Sequence, residues 1–512
     1  MSLFTTHKLL KTSSLLLLGA FNVLGFSPFY FYPASIISLI GLCYFWYVSD
    51  STKQAALAGF AYGLGLFGAG IYWIYISLHT FGGMPSLMAG FSTFALAAFM
   101  ALFPAAVGAL SKRISNNSHE AMIIAIPVFW ALSDWVRSWI FTGFPWLTIG
   151  YSQVPHSPLA GYMPIIGVYG VTLISVLIAS LLAFWFAKKP ATMTWQRYSI
   201  AALMLIIVSG YLLKQVEWTT PSGKPLSVSL LQGNIAQDMK WDPEIANQTL
   251  NQYLTMAESS EAKLIIMPET ALPVLSSELP ADIGIRLQQH AIKNNGDILL
   301  GLVERENGEY FNSVFSLGSS KSAVYRKSHL VPFGEFIPFK MAFGWIYRDL
   351  LNMPLSDLSR GDKYQQPMSI AGEKVAVNIC YEDVFGEEII RQLPAATLLV
   401  NVSNDAWYGT SYAADQHMQF SQARALETGR MMLRATNTGA TAIINHKGYV
   451  LAHAPHFTQT SLNGTAQGYT GSTLYVRWGN WPLVLFCFSV IAFVWRRNAM
   501  KRIKGTSINS SC

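Results

Sequence analysis

Three polar residues stand at the ends of apolar runs in the C-terminal half of this 512-residue chain, and together they suffice for acyl transfer through a thioester. Cys380 ends the run Lys374-Val375-Ala376-Val377-Asn378-Ile379, which reads as a buried strand that delivers a thiol into a turn. Glu269 follows Leu264-Ile265-Ile266-Met267-Pro268, and Lys327 lies in Tyr325-Arg326-Lys327-Ser328-His329-Leu330-Val331-Pro332-Phe333-Gly334-Glu335. A thiol attacks a carbonyl only as the thiolate, and free cysteine is mostly protonated at neutral pH. A carboxylate such as Glu269, its pKa raised by burial, can take that proton. An ammonium such as Lys327 can stabilise the oxyanion, helped by a backbone N–H near Cys380. Glu335 either holds Lys327 or serves the second proton transfer. Each residue alone has a plainer reading: a core thiol, a surface carboxylate, a solvated strand edge. Their grouping favours chemistry. His329 invites a Cys–His dyad but is read as structural, because the Glu–Lys–Cys set is complete without it.

The elements that must position these groups alternate. Strand-like runs cover Leu226–Leu231, Lys263–Met267, Ile298–Val303, Val324–Arg326, Val375–Ile379, Thr397–Val402 and Ala440–Ile444, with helical stretches near 244–260, 281–294 and 412–430. Asn307-Gly308 and Lys447-Gly448 signal hairpins. This mixture predicts a layered α/β sandwich rather than a barrel or an all-β fold.

Around this region the composition changes. The chain is 52% hydrophobic and only 12% charged, about half the usual charged fraction. The deficit lies outside roughly residues 215–475. Apolar segments near 11–28, 32–49, 55–78, 85–110, 120–140, 167–187, 198–214 and 481–496 predict about eight membrane spans. The start has signal-peptide features but no small-x-small cleavage site, and reads as an uncleaved first helix. With the N-terminus in the cytoplasm, Lys8, Lys11, Lys53, Lys112, Arg113, Lys188, Lys189, Arg197 and the tail from Arg496 to Lys504 all fall inside. The opposite loops are nearly free of basic residues, with Arg137 the one near that face. Three domains are expected: a seven-helix membrane domain (1–214), an extracytoplasmic catalytic domain (215–475), and a final helix with a basic tail (476–512).

The net charge of +7 belongs to this topology signal, so no nucleic-acid partner is expected. Of four cysteines, Cys43 and Cys487 lie in apolar spans, Cys512 is terminal, and Cys380 is alone in the polar region. No metal-ligand spacing is present, and neither a metal nor a cofactor is expected. Asp134 and Arg137, spaced i, i+3 in the fifth span, are either a functional pair or a cation that snorkels to the interface. The apolar stretch Phe333–Ile346 is either a lid that dips into the leaflet or ordinary packing.

Pro268-Glu269-Thr270, the Tyr325–Glu335 segment and Cys380-Tyr381-Glu382 together resemble the Glu–Lys–Cys signature of the nitrilase superfamily. Gln232-Gly233-Asn234-Ile235, Asn401–Gly409 and Arg434–Gly439 resemble further pieces of it. With seven preceding helices and one following, the whole chain is similar to the bacterial apolipoprotein N-acyltransferases. The resemblance implies a nitrilase-like αββα sandwich carried by a polytopic helical bundle in the bacterial inner membrane, with the catalytic domain on the periplasmic side. It implies acyl transfer from a phospholipid, typically phosphatidylethanolamine, to the N-terminal amine of a diacylglyceryl-cysteine apolipoprotein. Glu269 would be the base, Lys327 the charge stabiliser and Cys380 the acyl carrier. Glu335, Tyr381 and Glu382 would support them, and Trp241 would sit at the entrance to the site. Rival readings are a membrane-tethered nitrilase-type amidase or hydrolase with the same triad, and a transporter or scaffold with an inactive domain.

Overall fold

The computed structural model describes residues 2–116, 118–187, 193–237, 243–337 and 357–509. The chain forms two compact units. One comprises Met1–Tyr72, Gly90–Val216 and Trp478–Cys512; the other comprises Trp73–Ala89 and Glu217–Arg477.

The second unit is built on two six-stranded sheets. In chain order its strands are β1 (Thr219–Gln232), β2 (Leu264–Ile266), β3 (Asp297–Glu306), β4 (Glu309–Gly318), β5 (Val324–Arg326), β6 (Met368–Ile370), β7 (Glu373–Ile379), β8 (Leu398–Ser403), β9 (Met432–Thr436), β10 (Ala442–Ile444), β11 (Val450–His453) and β12 (Thr460–Gly471). One sheet runs β12-β1-β2-β3-β4-β5 and the other β11-β10-β9-β8-β7-β6. β1, β2 and β3 are parallel, as are β7, β8 and β9. β12 returns antiparallel along β1, pairing Thr219 with Gly471 at one end and Gln232 with Thr460 at the other.

Side chains alternate across each strand. Leu264 and Ile266, with Val375, Val377 and Ile379 and Leu398, Val400 and Val402, fill the core between the sheets. The intervening Ile265 and Met267 pack outward with residues of helices Pro243–Glu258 and Ala281–Lys293. Ala376 and Leu399 pack outward with residues of helix Ala413–Thr428. The result is the expected αββα layering, with the parallel strands buried on both faces.

In the other unit, helices Ser2–Asn22, Tyr32–Tyr47, Thr52–Gly70, Ser86–Ile114, His119–Arg137, Met163–Ala187, Met193–Leu213 and Trp481–Asn509 overlap the expected apolar segments. Among the described residues, three helices are long and apolar enough to cross a membrane: Ser86–Ile114, Pro158–Ala187 and Trp195–Leu213. A fourth is added if Thr52–Gly70 and Trp73–Phe81 are one bent span. Small residues let the first and third helices touch: a Cβ on Gly19 would lie 2.0 Å from the Tyr62 carbonyl oxygen, and one on Gly65 would lie 2.0 Å from that of Leu16.

Arg137 does not snorkel. It is 2% exposed, pairs with Asp134 at 2.9 Å, and donates to the carbonyls of Phe144 and Trp146 at 3.0 and 2.5 Å and to Thr148 Oγ1 at 3.0 Å. Closing the loop after its helix satisfies the guanidinium more fully than the solvent-facing reading would.

Candidate active site

Strand termination places the reactive groups. Lys327 is the first residue after β5, Cys380 the first after β7, and Glu269 follows β2 by a short turn. Cys380 adopts a left-handed φ of +53°, a strained elbow that a non-glycine residue holds only under constraint. The β2 turn has its own requirement: a Cβ on Gly301 of β3 would lie 2.2 Å from the Pro268 carbonyl oxygen, so only glycine lets the Glu269 turn approach.

All three groups are buried, with Lys327 1%, Glu269 7% and Cys380 8% exposed. Lys327 Nζ lies 2.8 Å from Glu335 Oε1 and 3.3 Å from Glu269 Oε1. Asn312 of β4 keeps both carboxylates aimed at that ammonium, its Nδ2 donating to Glu269 Oε1 at 2.7 Å and Glu335 Oε1 at 3.0 Å. The second oxygens are fixed by backbone: Asn404 N–H donates to Glu269 at 2.9 Å and Val331 N–H to Glu335 at 2.8 Å. Asn312 was not anticipated; its only sequence signal is a polar residue inside a strand.

Electrostatics follow from this packing. Burial pushes the Cys380 thiol up, the Glu269 charge pushes it further, and Lys327 offsets part of the rise. Burial and the Glu269 charge thus both favour the neutral thiol. Burial alone would lower the Lys327 ammonium, but the charges of Glu269 and Glu335 more than offset this and raise it well above the ordinary lysine value.

Glu382 binds the thiol turn to the lysine segment. Its Oε1 accepts from Ser328 N–H at 2.7 Å, Ser328 Oγ at 2.9 Å and His329 N–H at 3.1 Å. Its Oε2 accepts from Ile379 N–H at 2.7 Å and Tyr325 OH at 3.0 Å. Burial raises this carboxyl, while the donors around both oxygens favour the ionised form. Tyr381 packs edge-on to Phe385 and His329, and His329 stacks on Phe385 and pairs with Glu388 at 3.1 Å. His329 is thus occupied as a brace. Trp241 lies outside the described residues, as does the expected lid beyond Ile337.

A second polar layer, missed in the sequence as a group, lies on the other side of the thiol turn. It joins Asp383, Asn401, Asp405, His417 and Arg434, every one of them buried. Elsewhere Asp415, His453 and His456 bring three ligand-type atoms within 4.8 Å of one another. An Asp415–His456 ion pair at 3.4 Å accounts for two of them, and the trio shares no residue with the triad.

The family model described as apolipoprotein N-acyltransferase N-terminal domain matches residues 18–181, and the carbon-nitrogen hydrolase model matches residues 227–473. An apolipoprotein N-acyltransferase of Nitrosomonas europaea is 49% identical over 491 residues, covering 94% of this chain and 98% of that protein. The chain belongs to the apolipoprotein N-acyltransferase family. A member from Vibrio cholerae is 36% identical, covering 96% of this chain and 98% of its own. Among solved structures, a CN-hydrolase superfamily protein from Xanthomonas campestris is 17% identical with a TM-score of 0.37, covering 48% of this chain and 91% of its own. The first matched segment falls in the helical unit except for residues 73–89, and the second falls in the other unit and contains Glu269, Lys327 and Cys380.

Proposed function

We propose a specific chemistry for an enzyme whose class is fixed by its family. The chain is an acyltransferase of lipoprotein maturation, a membrane protein that takes its acyl group from a membrane lipid and gives it to a lipoprotein. In our reading Glu269 takes the Cys380 proton and the thiolate attacks an ester carbonyl of the donor, phosphatidylethanolamine. The oxyanion forms against Lys327, which Glu335 holds in place. The C–O bond breaks, Glu269 returns the proton to the departing lysolipid alcohol, and a Cys380 thioester remains. The N-terminal amine of a diacylglyceryl-cysteine apolipoprotein then attacks the thioester and loses a proton to Glu269, the C–S bond breaks, Glu269 passes the proton to the departing Cys380 thiolate, and the product leaves as the amide. Glu382 and Tyr381 fix the turn, and Trp241 meets the substrate at the entrance. The convergence of a base, an ammonium and a strained thiol at three strand ends is the observation that supports this sequence.

We place the work at the bacterial inner membrane, with eight spans, a membrane domain at 1–214, a periplasmic catalytic domain at 215–475, and a final helix and cytoplasmic tail at 476–512. The lysine and arginine asymmetry of the loops supports this orientation. A reporter fused after residue 512 should be cytoplasmic and a tag at Asn307 periplasmic. Labelling of the tag only after the inner membrane is permeabilised would reverse the assignment.

The chemistry is tested by intact-protein mass spectrometry after incubation with phosphatidylethanolamine vesicles. A single acyl adduct on Cys380, removed by hydroxylamine and discharged by a diacylglyceryl-cysteine peptide, is the expected result. No adduct, or one that resists hydroxylamine, would remove Cys380 from the nucleophile role. Discharge to water as fast as to the peptide would restore the hydrolase reading.

A further inference from the structure

His417, on helix Ala413–Thr428, is 1% exposed and is surrounded by acceptors. Its Nε2 lies 2.8 Å from Asp383 Oδ1 and 3.1 Å from the carbonyl oxygen of Cys380. Its Nδ1 lies 3.1 Å from Asp405 Oδ1. A carbonyl and an ionised carboxylate only accept, so both ring nitrogens must carry hydrogen and the ring must be an imidazolium. Arg434 supplies the second positive charge, its two terminal nitrogens each 3.1 Å from Asp383 Oδ2 and Asp405 Oδ2 respectively. Two cations face two carboxylates with no net charge, the condition under which such a cluster tolerates burial.

One of these contacts of His417 ends on Cys380 itself, and another, Asp405, adjoins the turn that orients Glu269. The Cys380 carbonyl also accepts from Asn401 Nδ2 at 3.1 Å, and Asn401 is itself held by Arg434 at 2.7 Å. The thiol residue is therefore gripped on both sides: Glu382 holds the N–H before it, and His417 with Asn401 holds the carbonyl after it. Asp405 directly follows Asn404, whose N–H orients Glu269. Asp405 has no room to drift, since a Cβ on Gly439 would already lie 2.5 Å from its Oδ2.

We propose that His417 is a positioning residue for acyl transfer, a buried imidazolium that holds the Cys380 carbonyl and the Asn404 turn together so that thiol and base keep their register. This rests on the reading of Cys380 as the acyl carrier. Burial and Arg434 oppose the charge on His417, but Asp383 and Asp405 more than offset them and raise it above the ordinary histidine value.

The test compares His417→Gln with His417→Asn in the full-length protein in phosphatidylethanolamine vesicles. Both lose the cation and stay polar. Glutamine keeps an N–H near the Nε2 position, where it can reach the Cys380 carbonyl, and asparagine keeps one near Nδ1. The rate of Cys380 acylation should fall about 10²-fold in His417→Asn, the scale of a ~1 Å misplacement, with the KM for lipid unchanged. His417→Gln should recover much of the loss. Equal rates in the two variants, a change confined to KM, or wild-type rates in both would overturn the proposal. Alkylation of Cys380 by iodoacetamide, followed in the same three proteins, reads the placement of the thiol without any acyl chemistry. If wild-type protein forms no adduct, the nucleophile reading fails, and a matching Gln–Asn difference in alkylation would still support the clamp. Identical alkylation in all three proteins would overturn it.

Discussion

Arg137 in one compact unit and Lys327 in the other are both buried cations, and they are satisfied in different ways. Arg137 has a single carboxylate, Asp134, and otherwise donates to two carbonyls and a hydroxyl within eleven residues of itself. Its guanidinium closes a loop. Lys327 is outnumbered: two carboxylates share its ammonium, from positions 58 and 8 residues away in sequence. Beside it sits a thiol whose ionisation those same charges oppose and assist. A buried cation satisfied by backbone oxygens acts as a fastener. One with an excess of negative charge and a strained thiol in the same buried cluster has the perturbed electrostatics that mark candidate reactive sites.

The comparison breaks first at the thiol. Cys380→Ser should abolish turnover with the fold intact, because a hydroxyl ionises far less readily than a thiol. Turnover near the wild-type rate would end its role as acyl carrier. The next effects are Glu269→Gln and Lys327→Met, each expected to cost ~10² or more in acylation rate. The two should separate when the thiol is titrated by alkylation. Glu269 raises the Cys380 pKa and Lys327 lowers it, so Glu269→Gln should shift the alkylation profile to lower pH and Lys327→Met to higher pH. Shifts in the same direction would show that the two charges do not oppose each other at the sulfur. The smallest effect on turnover is expected from Arg137→Met. It strands Asp134 and frees the loop, so the amount of folded protein should fall while turnover per folded molecule holds. Lost turnover in fully folded protein would give Arg137 a functional role and erase the contrast.

What the sequence made legible follows from where the information sits. β2 and β7 are short apolar runs, and a polar residue at the end of such a run is visible without a partner, whereas Lys327 follows Val324-Tyr325-Arg326 and stands out only beside the other two motifs. The strands missed have other patterns. β9 contains Arg434, fully buried yet charged, and β12 is a polar edge strand, Thr460-Ser461-Leu462-Asn463-Gly464-Thr465, that reads as a loop. The second polar layer was hidden for a related reason. Helix Ala413–Thr428 contains Gln416, His417, Gln419, Gln422, Arg424 and Glu427, a pattern of a solvated helix, but all of them are at most 2% exposed. Arg424 and Glu427 pair at i, i+3 on the helix itself, but the partners of His417 and Gln422 lie on other elements, so no local spacing announces them. Glu335 and Glu382 stood in the expected motifs, whereas their hydrogen bonds to Asn312 and Ser328 emerge only once β4 is paired with β5 and the Cys380 turn is packed against the segment that follows β5.

The pairing of β1 with β12 has a mechanical consequence. The catalytic unit's main segment begins at Glu217 and ends at Arg477, and its first and last strands pair Thr219 with Gly471, about 5 Å apart across an antiparallel ladder. Tension applied through the two flanking ends therefore loads that ladder from one tip. It peels the rungs in succession from Thr219 toward Gln232 rather than shearing them all at once. Cys380, Lys327 and Glu269 follow β7, β5 and β2, so none of them sits on the seam that this load reaches first.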